Sequence, residues 1–239
     1  MPQQCEEAWR QGMAVSYPAR WSYSKSVTIC GMGGSAIAGD LLADLVSGAN
    51  GPSVRVVRGY QFPFRVEPES LVVVCSYSGD TQETISLFEQ AKSAGARIIV
   101  ASGGGFLTNQ AIHEGIPLLK VEIPGEPRSA VGYNLMLLAA SLTQLGMWSI
   151  SQPEMDDSFK ALTGQANRLA QDRPTGLNEA KDLAMKVREK LVMIYGGGLF
   201  SGLARRWKTQ LNENGKIWAL SLIHISEPTR LGMISYAVF

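Results

Sequence analysis

The 239-residue, 25.9 kDa chain is 45% apolar and 18% charged, ample for a sizeable core and too poor in charge for a disordered chain. Lys+Arg 22 against Asp+Glu 21 leaves a formal net charge of +1, with no run of like charge, which argues against a nucleic-acid or membrane-surface protein held by bulk electrostatics. Three cysteines (Cys5, Cys30, Cys75) make no disulfide framework and show no metal-ligand spacing, and two histidines (His113, His224) are too few for a His-rich metal site. The first residues lack a basic region followed by an apolar core, so no signal peptide is visible. The longest apolar stretch, 130–142, is interrupted by Asn134 and is too short to span a bilayer of about 30 Å. These features read as a soluble cytoplasmic protein without nucleic-acid or membrane partners.

A helix is expected around 6–13. After it, short β-branched runs at 27–30, 54–57, 71–75, 98–100 and 118–121 read as strands. Helical patterns lie between most of them, at 36–46, 81–94 and 107–113, with another at 130–145 after the last strand. The clearest is 81–94, with Ile85, Phe88 and Ala91 on one face and Glu83, Gln90 and Lys92 opposite. Strands that are nearly all apolar belong to a sheet covered on both faces. The alternation therefore predicts an α/β domain with a doubly wound, five-stranded parallel sheet. Beyond Gly146 come polar, helix-favouring segments at 153–172 and 177–190, split at Pro174. Leu191–Tyr195 then reads as a new buried strand, followed by Gly196-Gly197-Gly198 and a helix through Leu211. This repeats the first strand–turn–helix and predicts the opening of a second α/β domain.

Two loops carry the chemistry. Gly31-Met32-Gly33-Gly34-Ser35-Ala36 follows the first strand and opens a helix, where glycines allow close approach and the helix end offers N–H groups and a positive dipole to an anion. It also satisfies G-x-G-x-x-A, a dinucleotide fingerprint. The second strand, however, ends Val57-Arg58-Gly59 without the acid a ribose needs. That weighs against an NAD(P)-dependent dehydrogenase. The other loop, Ser76-Tyr77-Ser78-Gly79-Asp80-Thr81, follows the third strand and brings three hydroxyls to a helix start, a composition suited to a phosphate monoester. Asp80 with Glu83 also fits a capping box for that helix. In a parallel sheet, ligands sit beyond the carboxyl ends of the strands at the switch point, which these two loops would flank. Cys30 and Cys75 read as small buried hydrophobes, His113 as a dipole partner at a helix C-terminus, and Gly103-Gly104-Gly105 as a flexible loop rimming the site.

Gly33-Gly34-Ser35 followed by Ser76-Tyr77-Ser78-Gly79-Asp80-Thr81 resembles the sugar isomerase (SIS) domain family. Gly39-Asp40, Pro127-Arg128-Ser129-Ala130 and Gln210-Leu211-Asn212-Glu213-Asn214 resemble its bifunctional phosphoglucose/phosphomannose isomerase branch, and the similarity covers 20–219. The resemblance implies two SIS domains per chain, a homodimer in the full-length parent, no metal and no cofactor. It implies interconversion of glucose 6-phosphate or mannose 6-phosphate with fructose 6-phosphate. By matching positions, Gly34, Ser35, Ser76, Ser78 and Thr81 would hold the substrate phosphate, Arg128 would stand beside the reacting carbons, and Glu213 would shuttle a proton between C1 and C2. Such chemistry suits these residue types: a carboxylate serves as base and a permanently charged guanidinium stabilises an enediolate. A non-catalytic SIS module that senses a sugar phosphate is the alternative.

Leu220 to Arg230 resembles the translation of a transposase-type sequencing adapter, and Ile234 to Phe239 matches its continuation. The expected division is a first SIS domain with its N-terminal helix at 1–148, a helical connector at 149–189, the start of a second SIS domain at 190–219 and an artefact at 220–239. The family's ring-opening histidine and C-terminal lysine would fall in the part so replaced. The chain as written is therefore expected to be an inactive fragment, and His224 is no candidate for chemistry.

Overall fold

A computed structural model describes residues 1–24, 26–49, 51–123 and 127–222; most of the adapter-like segment, with His224, lies outside them. The chain divides into two compact units, Met1–Arg188 and Glu189–Phe239. The first begins with α1 (Pro2–Met13) and alternates β1 (Ser26–Gly31), α2 (Gly33–Ser47), β2 (Ser53–Val57), β3 (Leu71–Ser76), α3 (Gln82–Ser93), β4 (Arg97–Ser102), α4 (Gly105–Glu114) and β5 (Leu118–Lys120). It continues with α5 (Val131–Gln144), α6 (Gln152–Arg168) and α7 (Glu179–Val187).

All five strands pair in parallel, in the order β2-β1-β3-β4-β5. The expected doubly wound sheet is therefore the observed one. Its alternating side chains build two apolar layers, because successive residues of a strand point to opposite faces. Val27, Ile29, Leu71, Val73, Ile99 and Leu119 meet residues of α1, α2 and α5 on one face. Val72, Val74, Ile98 and Val100 meet Leu87, Phe88 and Ala91 of α3 and Leu107 and Ala111 of α4 on the other. β3 is buried at all six positions, as a central strand covered on both sides must be. β2, at the sheet edge, alternates exposed and half-buried residues before Val57.

Cys30 and Cys75 belong to different layers and are fully or almost fully buried. Burial pushes the Cys75 thiol up to about 12 and raises Cys30 as well, with Cys75 adding to the latter. Both stay protonated at neutral pH and pack as small apolar groups, with no nucleophilic character.

α6 packs against α1, and its Met155 joins the first apolar layer. Ser151 and Glu154 close a reciprocal capping box at its start. Asn178, buried, caps α7 by accepting from the Ala180 and Lys181 amides.

The second unit holds β6 (Val192–Tyr195), α8 (Ser201–Glu213) and β7 (Ala219–Leu222), the two strands pairing in parallel from Val192 opposite Ala219 to Tyr195 opposite Leu222. The expected burial of β6 does not hold: Met193 and Tyr195 are 46% and 56% exposed. A two-stranded sheet with one crossover helix leaves the other face of β6 without cover. Trp218 is 84% exposed in the same unit.

Candidate functional site

The crossover from β1 through α2 to β2, on one side, and the return to β3, on the other, put the topological switch between β1 and β3. Register sets their ends level, with Gly31 opposite Cys75. A Cβ on Gly31 would sit 3.0 Å from the Cys75 carbonyl oxygen and 3.3 Å from the Ser35 Cβ. Glycine is thus what lets the first turn of α2 lie against the end of β3. The loops bearing Ser35 and Ser76 are brought side by side, as the motif reading expects.

On the first loop, Met32 precedes α2 in extended conformation and no side chain caps the helix. The 33–34 turn, with Gly33 at φ +50°, leads into a buried Ser35. The Ser35 amide donates to the Met32 carbonyl at 3.1 Å and the Ala36 amide to the same oxygen at 3.4 Å, so only the amides at 33 and 34 lie before the first helical bonds, where the dipole adds a partial positive charge.

The second loop holds its hydroxyls in fixed roles. Ser76 Oγ accepts from the Gly79 amide at 3.1 Å and pairs with Thr81 Oγ1 at 2.9 Å. Ser78 Oγ accepts from the Asp80 amide at 3.2 Å. A hydroxyl that accepts from a backbone N–H still has its own proton to donate. Ser78 therefore keeps its proton for an anion's oxygen, and of the Ser76–Thr81 pair, in which either hydroxyl can donate to the other, one keeps its proton as well. Thr81 is the N-cap residue of α3, yet its side chain caps nothing. Two helix N-termini without side-chain caps and a set of hydroxyls meet at one switch point. No lysine or arginine is among them, so they offer dipoles and hydroxyl protons to the anion.

Asp80 departs from the capping box expected at α3. Its Oδ1 instead accepts from the Phe106 amide, the second residue of α4, at 2.8 Å. The Gly103–Gly105 segment departs from a flexible loop in the same way. The Gly103 amide donates to the Tyr77 carbonyl and the Leu107 amide to the Gly79 carbonyl, each at 3.1 Å. Ser102 Oγ braces the turn by donating to the Gly104 carbonyl at 3.0 Å. The only sequence sign of this interlock is the spacing of the glycines, because its partners lie over twenty residues apart.

Arg128 sits half-buried in a 3-10 turn, Pro127–Ser129, that leads into α5 and packs against α2, the helix that begins beside Ser35. Glu213 belongs to the second unit, where it is the last, exposed residue of α8. Burial holds the Arg206 guanidinium of that helix below its ordinary value, and the Glu213 carboxylate opposes the shift. Asn212 Oδ1 accepts from the Ala219 amide at 2.9 Å. It ties the helix end to β7 across a turn in which Lys216 takes a left-handed φ of 52°. Asn212 thus has a structural task that the motif alone does not disclose.

Among the described residues no group of three or more His, Cys, Asp or Glu is placed to hold a metal. No helix among them is long and apolar enough to cross a membrane.

Residues 22–137 match the SIS domain family, and residues 177–226 match the bacterial phospho-glucose isomerase C-terminal SIS domain. The sequence is 35% identical over 217 residues to a bifunctional phosphoglucose/phosphomannose isomerase of Caldicellulosiruptor bescii, covering 90% of this chain and 64% of that protein. A D-glucosamine-6-phosphate 4-epimerase of Sulfolobus acidocaldarius is 28% identical over 195 residues, 81% of this chain and 58% of the relative. In fold, the chain resembles the C-terminal domain of glucosamine-fructose-6-phosphate aminotransferase from Francisella tularensis. The TM-score is 0.66 at 17% identity, over 92% of this chain and 68% of that one. The chain spans less than two thirds of the length of these two curated relatives.

Proposed function

The chain belongs to the SIS-domain family, and from that premise we propose that its parent protein is an aldose–ketose isomerase acting on sugar 6-phosphates. Glucose 6-phosphate or mannose 6-phosphate would be interconverted with fructose 6-phosphate. The observation that supports this most is the pairing of two uncapped helix starts with the Ser76–Thr81 hydroxyl pair at the β1/β3 switch. A phosphate monoester is the ligand class that such donors suit.

In this reading Gly34, Ser35, Ser76, Ser78 and Thr81 hold the phosphate, which anchors one end of the sugar. Glu213 removes the proton from C2 of the open-chain aldose and returns it to C1 while the hydroxyl proton passes from O2 to O1, and the reverse for the ketose. Arg128 stabilises the negative charge of the cis-enediolate formed between the two transfers. The phosphate group takes no part in the bond changes, so its binding contributes orientation.

Ser35→Ala and Ser76→Ala are expected each to weaken glucose 6-phosphate binding by about tenfold, since each removes a hydrogen bond to a charged group. Titration calorimetry on the 239-residue chain reads this. Wild-type affinity retained in both variants would refute the phosphate assignment. Because one relative is named as a 4-epimerase, the full-length protein should be assayed on fructose 6-phosphate and glucosamine 6-phosphate side by side. Turnover of the second alone would replace isomerisation with epimerisation.

The same reading takes 190–219 as the opening of a second SIS domain and 220–239 as foreign. β7 includes Leu220, Ser221 and Leu222 of that segment, whose apolar–polar alternation suits a strand whatever its origin. The locus read from an independently prepared library is expected to diverge from this sequence after Ala219. The same codons in genomic DNA would overturn it.

A further inference from the structure

We propose that Asp80 is a positioning residue for the ligand loop: by capping α4 in place of its own neighbouring helix, it holds Ser76, Ser78 and Thr81 in the arrangement that receives an anion. The inference rests on the phosphate-site reading and assigns a residue to which that reading gives no role.

The loop's internal bonds, Gly79 amide to Ser76 and Asp80 amide to Ser78, use the same hydroxyls that face a ligand. Besides the Tyr77 hydroxyl, which donates to the Ile123 carbonyl at 2.9 Å, the loop is tied to the rest of the domain by a set of bonds to the 103–107 segment. Two of these are main chain to main chain, from Gly103 to Tyr77 and from Leu107 to Gly79. The side-chain member is Asp80 Oδ1, 2.8 Å from the Phe106 nitrogen. Together, Gly79 and Asp80 thus satisfy the amides of the second and third residues of α4, a cap delivered by a different segment of the chain.

Charge makes the arrangement more than a brace. A carboxylate close to a phosphate site would repel the ligand if left to itself. Directed at the positive end of α4, its charge is matched by a helix dipole. The α4 N-terminus is thereby occupied by a resident anion, while those of α2 and α3 carry no side-chain cap. Steric fit agrees: a Cβ on Gly105, at φ +65°, would lie 2.5 Å from Asp80 Oδ2 and 2.4 Å from the Ser78 carbonyl oxygen. The glycine leaves room for the carboxylate to reach the helix.

The test titrates glucose 6-phosphate into the 239-residue chain, unsubstituted and as Asp80→Ala and Asp80→Asn, and follows amide hydrogen exchange in each. Asp80 is exposed, so neither change opens the core. Asp80→Ala is expected to weaken binding by about fivefold to tenfold, the loss of one cap. Asp80→Asn, whose amide oxygen still accepts from Phe106, should stay within about twofold. Exchange in Asp80→Ala should quicken at Phe106 and Gly79 while the β3 amides hold their protection. Equal or tighter binding by Asp80→Ala would overturn the proposal, showing that the carboxylate only repels. So would an equal loss in Asp80→Asn, or exchange raised evenly along the chain. An unsubstituted chain that does not bind would overturn the phosphate-site reading, and this inference with it.

Discussion

Glu213→Gln in the full-length protein is expected to lower isomerase turnover by about 10²- to 10⁴-fold, the range for loss of a positioned general base. The Michaelis constant should change little, because the proposed phosphate site is built from other residues. Glutamine keeps the shape and hydrogen-bonding capacity of the side chain but accepts no proton at neutral pH. Fold effects do not obscure the result. Glu213 is exposed at the last position of α8, where a negative charge opposes the helix dipole. Its removal should leave the melting temperature unchanged or slightly higher. Unchanged turnover would exclude Glu213 as the base. A full-length protein that binds sugar phosphate without turning it over would favour the regulatory module. The 239-residue chain itself should show no turnover of fructose 6-phosphate above background, and appreciable activity would refute its proposed status as a fragment.

Gly79→Ala is expected to give the largest loss of stability, about 3 kcal/mol or more, from two costs that add. Gly79 sits at φ +78°, which a side chain disfavours, and its added Cβ would fall 1.7 Å from the Gly104 carbonyl oxygen. That oxygen is held in place by Ser102 Oγ, so the clash cannot be relieved without breaking the brace. Gly115→Ala separates the two costs. Gly115 ends α4 in left-handed conformation, at φ +65°, with nothing within 4 Å of the added Cβ. It should cost only about 1 kcal/mol, the backbone term alone. Urea unfolding of both variants makes the comparison. Similar midpoints would show that the 104 loop gives way, and the interlock would then not be rigid. Sugar-phosphate binding should be lost in Gly79→Ala and retained in Gly115→Ala.

The parts of this fold legible in the sequence are those governed by local physics. A buried strand such as 71–75 has to be apolar throughout, and an amphipathic helix such as 81–94 has to show its period, so both can be read without knowing their neighbours. The helices at 36–46 and 81–94 are legible for the same reason, although the first opens earlier, at Gly33, and the second opens at Gln82 with no hydroxyl cap. From the alternation of these pieces follow the parallel sheet and its switch point, with the loops bearing Ser35 and Ser76 after neighbouring strands. Tertiary structure decided what depends on partners distant in the chain. Asp80 followed by Glu83 is locally a cap for α3, yet its carboxylate serves α4, because the fold presents the Phe106 amide at the right distance and local spacing cannot report it. The glycines at 103–105 look loose until the main chain of 77–79 is laid against them. β6 has the composition of a buried strand and is half-exposed, because burial is a property of what covers a strand and not of its residues.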